Sequence, residues 1–239
     1  MKLHIVLAHP SPGSFNAALC DAAADEARAL GHEVTVSDLY ALGFNPAGGP
    51  ADFASAPDAD DFHYQSAQLA ASLESGFAPE VAREQALLLN ADCLMLQFPI
   101  WWGGPPAMLK GWIDKVSAYG LAYVDGTRFE RGLFQGRRAL VSVTTGGTPR
   151  RFTDEGGYGD IDQVLWPTRR LFLEYLGFET HHTQVSYAVA RCGADERAEM
   201  ITALRARIRE LMAAPLPAIA IPSPRELAQR ITANWSAPA

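Results

Sequence analysis

Leu3-His4-Ile5-Val6-Leu7-Ala8 is a short apolar run that reads as a strand, and Ala17 to Leu30 follows it with helix-forming Ala, Asp, Glu and Arg before Gly31 stops it. His32 to Leu39 then resumes a β-branched pattern through Val34 and Val36. Strand, helix and strand at this spacing form a βαβ unit, and a helical crossover of this length joins parallel strands. The opening therefore predicts a parallel sheet.

Working outward, Asn45 to Gly76 shifts to Ala, Asp, Pro and Ser with little apolar periodicity, a long excursion with one helical piece. Pro79 starts a helix through Leu89, and Asp92 to Phe98 reads as a buried strand ended by Pro99. A helix from Pro106 to Ser117 follows. Arg138 to Thr145, with Leu140, Val141 and Val143, is the next central strand. Asp160 to Leu176 is helical despite Pro167, which kinks it or marks a second start. Glu179 to Ala188 supplies a final, more polar edge strand, and Ala194 to Ala213 a charged helix. This places one domain over residues 1–213. The Pro/Ala-rich tail, 214–239, is helical only from Pro224 to Thr232 and is expected to fray or to pack on another subunit.

The chain has 239 residues, 48% of them hydrophobic, enough for one α/β domain with elaboration. A formal charge of -7 argues against a general nucleic-acid or anionic-membrane binder. Cys20, Cys93 and Cys192 are far apart and form no C-x-x-C pair, which suggests neither a disulfide framework nor a zinc site. Lys2 to Ala8 is too short for a secretory core, and no apolar stretch approaches a membrane span. A cytoplasmic protein without membrane insertion is the expectation.

Three loops follow strand-like runs: His9-Pro10-Ser11-Pro12-Gly13-Ser14-Phe15-Asn16, Pro99-Ile100-Trp101-Trp102-Gly103-Gly104-Pro105 and Thr144-Thr145-Gly146-Gly147. In an open parallel sheet the carboxyl ends of neighbouring strands bound one crevice, so together these loops describe a ligand site. Ser14 and Asn16 precede a helix whose free N–H groups favour a phosphate, although either could simply cap it. No G-x-G-x-x-G or Walker loop is present. Trp101 and Trp102 on a bare Gly/Pro loop suit a planar heterocycle, with one of them open to a packing role. Thr144 to Gly147 offers successive backbone donors, or a plain turn. Adjacent on a strand, His181 and His182 point to opposite faces and make a poor chelating pair, so no metal is expected. With few acid–base groups of its own, the protein is read as borrowing its reactivity from a cofactor.

These residues make the chain resemble the NAD(P)H:quinone oxidoreductase family, DT-diaphorase-like and flavodoxin-like in fold. The matching words run in order: Ser14-Phe15-Asn16, Ser37-Asp38-Leu39-Tyr40, Phe44-Asn45-Pro46, Phe98-Pro99 through Lys110-Gly111-Trp112, Thr144 to Gly147, Leu165-Trp166-Pro167 and Gly177-Phe178. The resemblance implies a three-layer α/β sandwich whose five-stranded parallel sheet has the order 2-1-3-4-5, with helices on both faces. It also implies a homodimer with active sites at the subunit interface. By position, His9, Ser14, Phe15 and Asn16 hold the flavin phosphates, and Pro99, Ile100, Trp101 and Trp102 line the isoalloxazine. Thr144, Thr145, Gly146 and Gly147 meet its pyrimidine side, and Arg197 matches an arginine at the phosphate or adenosine part of FAD. Tyr123, Trp102, Gly103 and Phe152 fall on the substrate pocket, with Tyr123 presented to the partner's flavin.

The departures are as informative. A Tyr and a His that relay a proton in the mammalian enzymes fall on Phe152 and Tyr158; Phe152 has no hydroxyl, which leaves Tyr158, with Gly146 and Gly147, as the catalytic candidates. A cofactor-site glutamine becomes His63, and Gly103 replaces an aromatic wall. The expected activity is ping-pong: hydride passes from NAD(P)H to flavin N5, and a small-molecule quinone then takes two electrons. FAD is preferred to FMN. Arg150 and Arg151 could meet a dinucleotide phosphate or be solvated surface. The alternatives are an ancillary flavoprotein of a potassium-efflux transporter, an azo- or nitro-reductase, and an electron-carrier flavodoxin.

Overall fold

The computed structural model describes residues 1–55, 62–217 and 219–235. The excursion read over 45–76 and the tail read over 214–239 therefore lie partly outside the described residues.

The opening unit forms as its pattern predicts: β1 (Lys2–Leu7), α1 (Phe15–Ala29) and β2 (Glu33–Asp38), with β1 and β2 parallel. Ser14 caps α1, its Oγ accepting from the Ala17 N–H at 3.1 Å. Gly31, at φ 82°, turns the chain out of the helix into a conformation that costs glycine little. The remaining elements are α2 (Tyr64–Glu74), α3 (Pro79–Asn90), β3 (Cys93–Pro99), α4 (Ala107–Val116), β4 (Arg138–Thr144), α5 (Ile161–Val164), α6 (Trp166–Thr168), β5 (Glu179–Thr180), β6 (Gln184–Ser186), α7 (Ala194–Leu211) and α8 (Pro224–Trp235).

All strand pairings are parallel, in the order β2-β1-β3-β4-β5, with β6 also on β4. Alternation along the central strands builds two cores. Leu3, Ile5, Leu7, Met95 and Leu140 face α1 and α7 with Leu19, Leu204 and Ile208. Val6, Leu94, Leu96, Phe98, Val141 and Val143 face the opposite way, against Leu88, Leu109, Trp112 and Leu173. This is the three-layer arrangement that both faces of a buried parallel sheet require.

Two expectations change. The single final strand is divided: β4 advances three residues from Ala139 to Ser142, while the edge advances four, from Thr180 to Gln184. One extra residue on one strand is a bulge, and it falls at His181-His182-Thr183, so the fifth position holds two short pieces. The helix expected over 160–176 is likewise broken. Pro167 has no N–H to donate, and the chain passes through α5 and α6 into a π-helical segment, Arg169–Glu174. In the tail, α8 packs on the chain's own core. Leu227 of α8 is fully buried with the chain's own core residues, and Ile221 packs beside it.

Lys115, a charged residue on the buried side of α4, pins the excursion. Its Nζ lies 2.8 Å from Asp52 Oδ1 and donates to the Asn45 carbonyl at 2.6 Å, while Asp52 Oδ2 accepts from Tyr64 Oη at 2.6 Å. Both ends of the ion pair are buried, where a charge persists only if it is paired and hydrogen-bonded.

Candidate active site

The carboxyl ends of β1, β3 and β4 lie level, Leu7 opposite Gln97 and Pro99 opposite Thr144. The chain leaves β1 for β2 on one side and returns as β3 on the other, so the crevice lies at the topological switch point. The three loops quoted from the sequence surround it. His9 and Trp101 bring the first two together, with ring centroids 6.3 Å apart.

In the first loop, Ser11 donates its N–H to His9 Nδ1 at 3.0 Å. Ser14 is spent on its cap, and its carbonyl accepts from the Ala18 N–H. Phe15 and Asn16 keep their backbone N–H groups free of any partner among the described residues, at the positive end of α1. The Asn16 side chain is committed elsewhere: Nδ2 donates to Thr144 Oγ1 and Oδ1 accepts from Gln97 Nε2, both at 2.9 Å. It is a buried strut joining α1, β3 and β4, so only the main chain of Asn16 is available to an anion. Gln97, a polar residue in the middle of an apolar strand, was the sequence signal for this strut.

The second loop is a two-residue turn. Trp101 and Gly104 exchange N–H···O bonds at 2.9 and 3.1 Å around Trp102 (φ 50°) and Gly103 (φ 76°). Positive φ at both central positions is the type I′ pattern, natural for Gly103 and strained for a tryptophan. The turn aims the Trp102 ring wholly into solvent and leaves Trp101 43% exposed. Pro99 is buried, and Ile100 donates to the Thr144 carbonyl, so these two extend the sheet.

The third loop supplies fewer free donors than its glycines suggest. Thr145 N–H goes to the Ser186 carbonyl and Gly147 N–H to Thr145 Oγ1, leaving that of Gly146 without a partner among the described residues. A Cβ placed on Gly146, Gly103 or Gly104 would meet no atom within 4 Å, whereas one on Gly147 would come within 2.6 Å of the Phe152 ring. Phe152 is buried between Gly147, Tyr158 and Tyr187 and acts as the wall on which Tyr158 rests. Tyr158 is half exposed; its Oη accepts from Arg151 Nη1 at 3.3 Å. Arg197 reaches the first loop, its guanidinium 5.7 Å from the Phe15 ring, and donates to the Val189 carbonyl.

Tyr123 is not brought to Trp102, Gly103 or Phe152 within the chain. It lines a separate cavity of about 1040 Å³ between α2, α4 and the π-helical segment, together with Gln65, Pro105, Leu171, Phe172 and Tyr175. Burial, then Tyr175, holds the Tyr123 phenol above its ordinary pKa. His63 lies in the same wall and caps α2, its Nδ1 accepting from the Ser66 N–H at 3.2 Å.

A family model described as Flavodoxin-like fold matches residues 1–212. The chain is 36% identical over 205 residues to NAD(P)H dehydrogenase [quinone] 1 of Rattus norvegicus, which covers 85% of this chain and 75% of the relative. It is 36% identical over 211 residues to the Homo sapiens ribosyldihydronicotinamide dehydrogenase [quinone], covering 88% and 91%. Among solved structures, a candidate quinone reductase of Klebsiella pneumoniae superposes with a TM-score of 0.83 at 36% identity, over 90% of this chain and 86% of the other. The NAD(P)H:quinone oxidoreductase of Methanothermobacter marburgensis gives 0.68 at 25% identity, over 90% and 98%.

Proposed function

The chain belongs to the flavodoxin-like fold family, and on that premise we propose that it is a flavin-dependent NAD(P)H:quinone oxidoreductase that reduces quinones by two electrons. The observation that carries this reading is the crevice itself, open space over Gly103, Gly104 and Gly146 bounded by amides without a partner among the described residues and by an outward-facing tryptophan pair. Those residues fit a planar ring joined to a phosphate. When bound, the flavin accepts hydride from NAD(P)H and passes two electrons to the quinone.

The chain's own residues bind, shield and move protons. Phe15 and Asn16 N–H groups at the α1 terminus take the phosphate, and Arg197 adds a positive charge beside them. His9 and Ser14 shape that loop, Trp101 and Trp102 cover the ring and keep water off it, and Pro99 and Ile100 set the turn's height. Gly146 donates to the pyrimidine side, with Thr144, Thr145 and Gly147 fixing the loop. Because Tyr158 Oη already accepts from Arg151, its own proton is free to be donated into the crevice. Phe152 carries no proton and takes no part in a relay.

Arg197, a cation beside the α1 terminus in addition to its free N–H groups, favours FAD, which brings a second phosphate, over FMN. The cavity at Tyr123, beside the exposed Leu171 and Trp166, supports a homodimer in which Tyr123 faces the other subunit's site and Gly103 widens the acceptor pocket. No described helix is long and apolar enough to cross a membrane, and all three cysteines are free, which fits a cytoplasmic enzyme over residues 1–213 with 214–239 as its tail. Steady-state rates with NADH or NADPH varied against a quinone test the scheme. Parallel reciprocal lines are expected; intersecting lines contradict a single shared pocket.

A further inference from the structure

Four arginines border the third loop without a carboxylate partner in a chain of net charge -7. Arg150 and Arg151 lie on the short turn Pro149–Arg151, Arg191 donates from Nη2 to the Gly146 carbonyl, and Arg197 donates to the Val189 carbonyl. None of the four is within salt-bridge distance of an Asp or Glu among the described residues, although Arg28, Arg83, Arg169, Arg170, Arg205, Arg207 and Arg209 each are. Arg151, Arg191 and Arg197 are instead held by neutral oxygens, each through one N–H, which fixes the guanidinium while leaving its charge and most of its donors uncommitted.

The backbone beneath Arg150 and Arg151 is knitted as well. Thr153 Oγ1 donates to the Arg150 carbonyl at 3.2 Å, and Tyr158 N–H to that of Arg151 at 3.1 Å. Gly156 crosses so closely that a Cβ there would sit 2.7 Å from the Arg150 oxygen. The Arg151 guanidinium lies 5.5 Å from the Tyr158 ring centroid, beside the crevice. Two adjacent planar cations on a fixed turn are suited to a phosphate, whose oxygens accept paired N–H donors.

We propose that Arg150 and Arg151 form a phosphate-reading rim that selects a 2′-phosphorylated dinucleotide, NADPH over NADH, as hydride donor. This rests on the oxidoreductase reading above, in which the α1 terminus and Arg197 already serve the flavin phosphate, while Arg151 stands beside Tyr158 at the crevice. The dinucleotide is the partner of this reaction that brings a further phosphate.

The test uses the flavin-loaded enzyme. The ratio of kcat/KM for NADPH to that for NADH is measured in wild type, Arg150→Gln and Arg151→Gln, alongside equilibrium binding of 2′,5′-ADP and 5′-AMP. The expected wild-type ratio is about tenfold or more in favour of NADPH, falling towards unity in both variants through KM, with 2′,5′-ADP affinity lost in parallel. Because a ratio is read, a general loss of activity from disturbing Tyr158 cancels. Equal use of both donors by wild type, or a preference that survives both substitutions, overturns the proposal. So does a variant defect confined to sulfonated quinones, which would assign the rim to the acceptor. If neither donor is oxidised, the oxidoreductase reading fails instead, and 2′,5′-ADP binding that is lost in the variants still supports the rim, whereas its absence in wild type removes it.

Discussion

Gly111→Ala sets two effects against each other, and their sizes decide the sign. Gly111 lies inside α4, where alanine is preferred to glycine by about 1 kcal/mol. On its buried side the helix meets the Phe44-Asn45-Pro46 segment so closely that an added Cβ would sit 2.6 Å from the Pro46 carbonyl carbon and nearer still to its Cα and oxygen. These atoms are main chain and cannot rotate away, and the segment is anchored by the buried Phe44 and by Lys115 on the Asn45 carbonyl. Overpacking of this kind costs about 3 kcal/mol, the upper part of the usual range. The net expectation is a loss of about 2 kcal/mol, or roughly 4–8 °C in Tm for a chain of this size. Thermal unfolding of the flavin-free protein measures it, with Gly13→Ala as the control because nothing lies within 4 Å of that position. A Tm for Gly111→Ala equal to or above wild type would refute the packing argument and leave helix propensity as the stronger effect.

Lys115→Met strands the buried Asp52 carboxylate and is expected to cost about 3–5 kcal/mol in urea unfolding; a loss under 1 kcal/mol would show the pair to be solvated. Trp102→Gly relieves a left-handed backbone under a fully exposed ring, so the flavin-free protein should gain about 1 kcal/mol while flavin affinity, read by fluorescence titration, falls; an unchanged affinity contradicts the role given to Trp102. His4 is buried, and burial pulls its pKa down from 6.5 to about 4. The unfolded chain thus binds a proton that the folded one refuses: stability is full above about pH 6.5 and declines as the pH drops towards 4, by about 3 kcal/mol. Urea midpoints at pH 7 and pH 4.5 should show this, with a shallower decline in His4→Gln; a flat wild-type profile would be inconsistent with the burial of His4.

The parallel sheet was legible because its signals are local. Apolar runs, Gly31 and Pro79 mark the ends of β1, α1, β2 and α3 within a residue or two of where they form. The three loops were legible for the same reason, since a parallel sheet always delivers strand ends to one edge. Contacts between distant segments were not. Asn16 carries the signature of a cap or a phosphate ligand, and only the fold reveals that Gln97 and Thr144 claim its side chain. Lys115 and Asp52 look like surface residues until α4 and the excursion bury them against each other. The edge strand misled because a one-residue bulge leaves no mark in the β pattern, and Pro167 announced a break without saying that a π-helical segment follows. Tyr123 was assigned through the family resemblance, and within one chain it stands apart from the crevice.

The central claim is that the crevice holds a flavin that cycles between the two substrates. Unfolding the purified protein, identifying the released chromophore, and following the visible absorbance of the intact protein under anaerobic addition of NAD(P)H and then a quinone tests it directly. The expected chromophore is FAD, bleached by the nicotinamide and restored by the quinone in equal amounts. A colourless protein that takes up neither FAD nor FMN, or a bound flavin that NAD(P)H leaves unbleached, would contradict it.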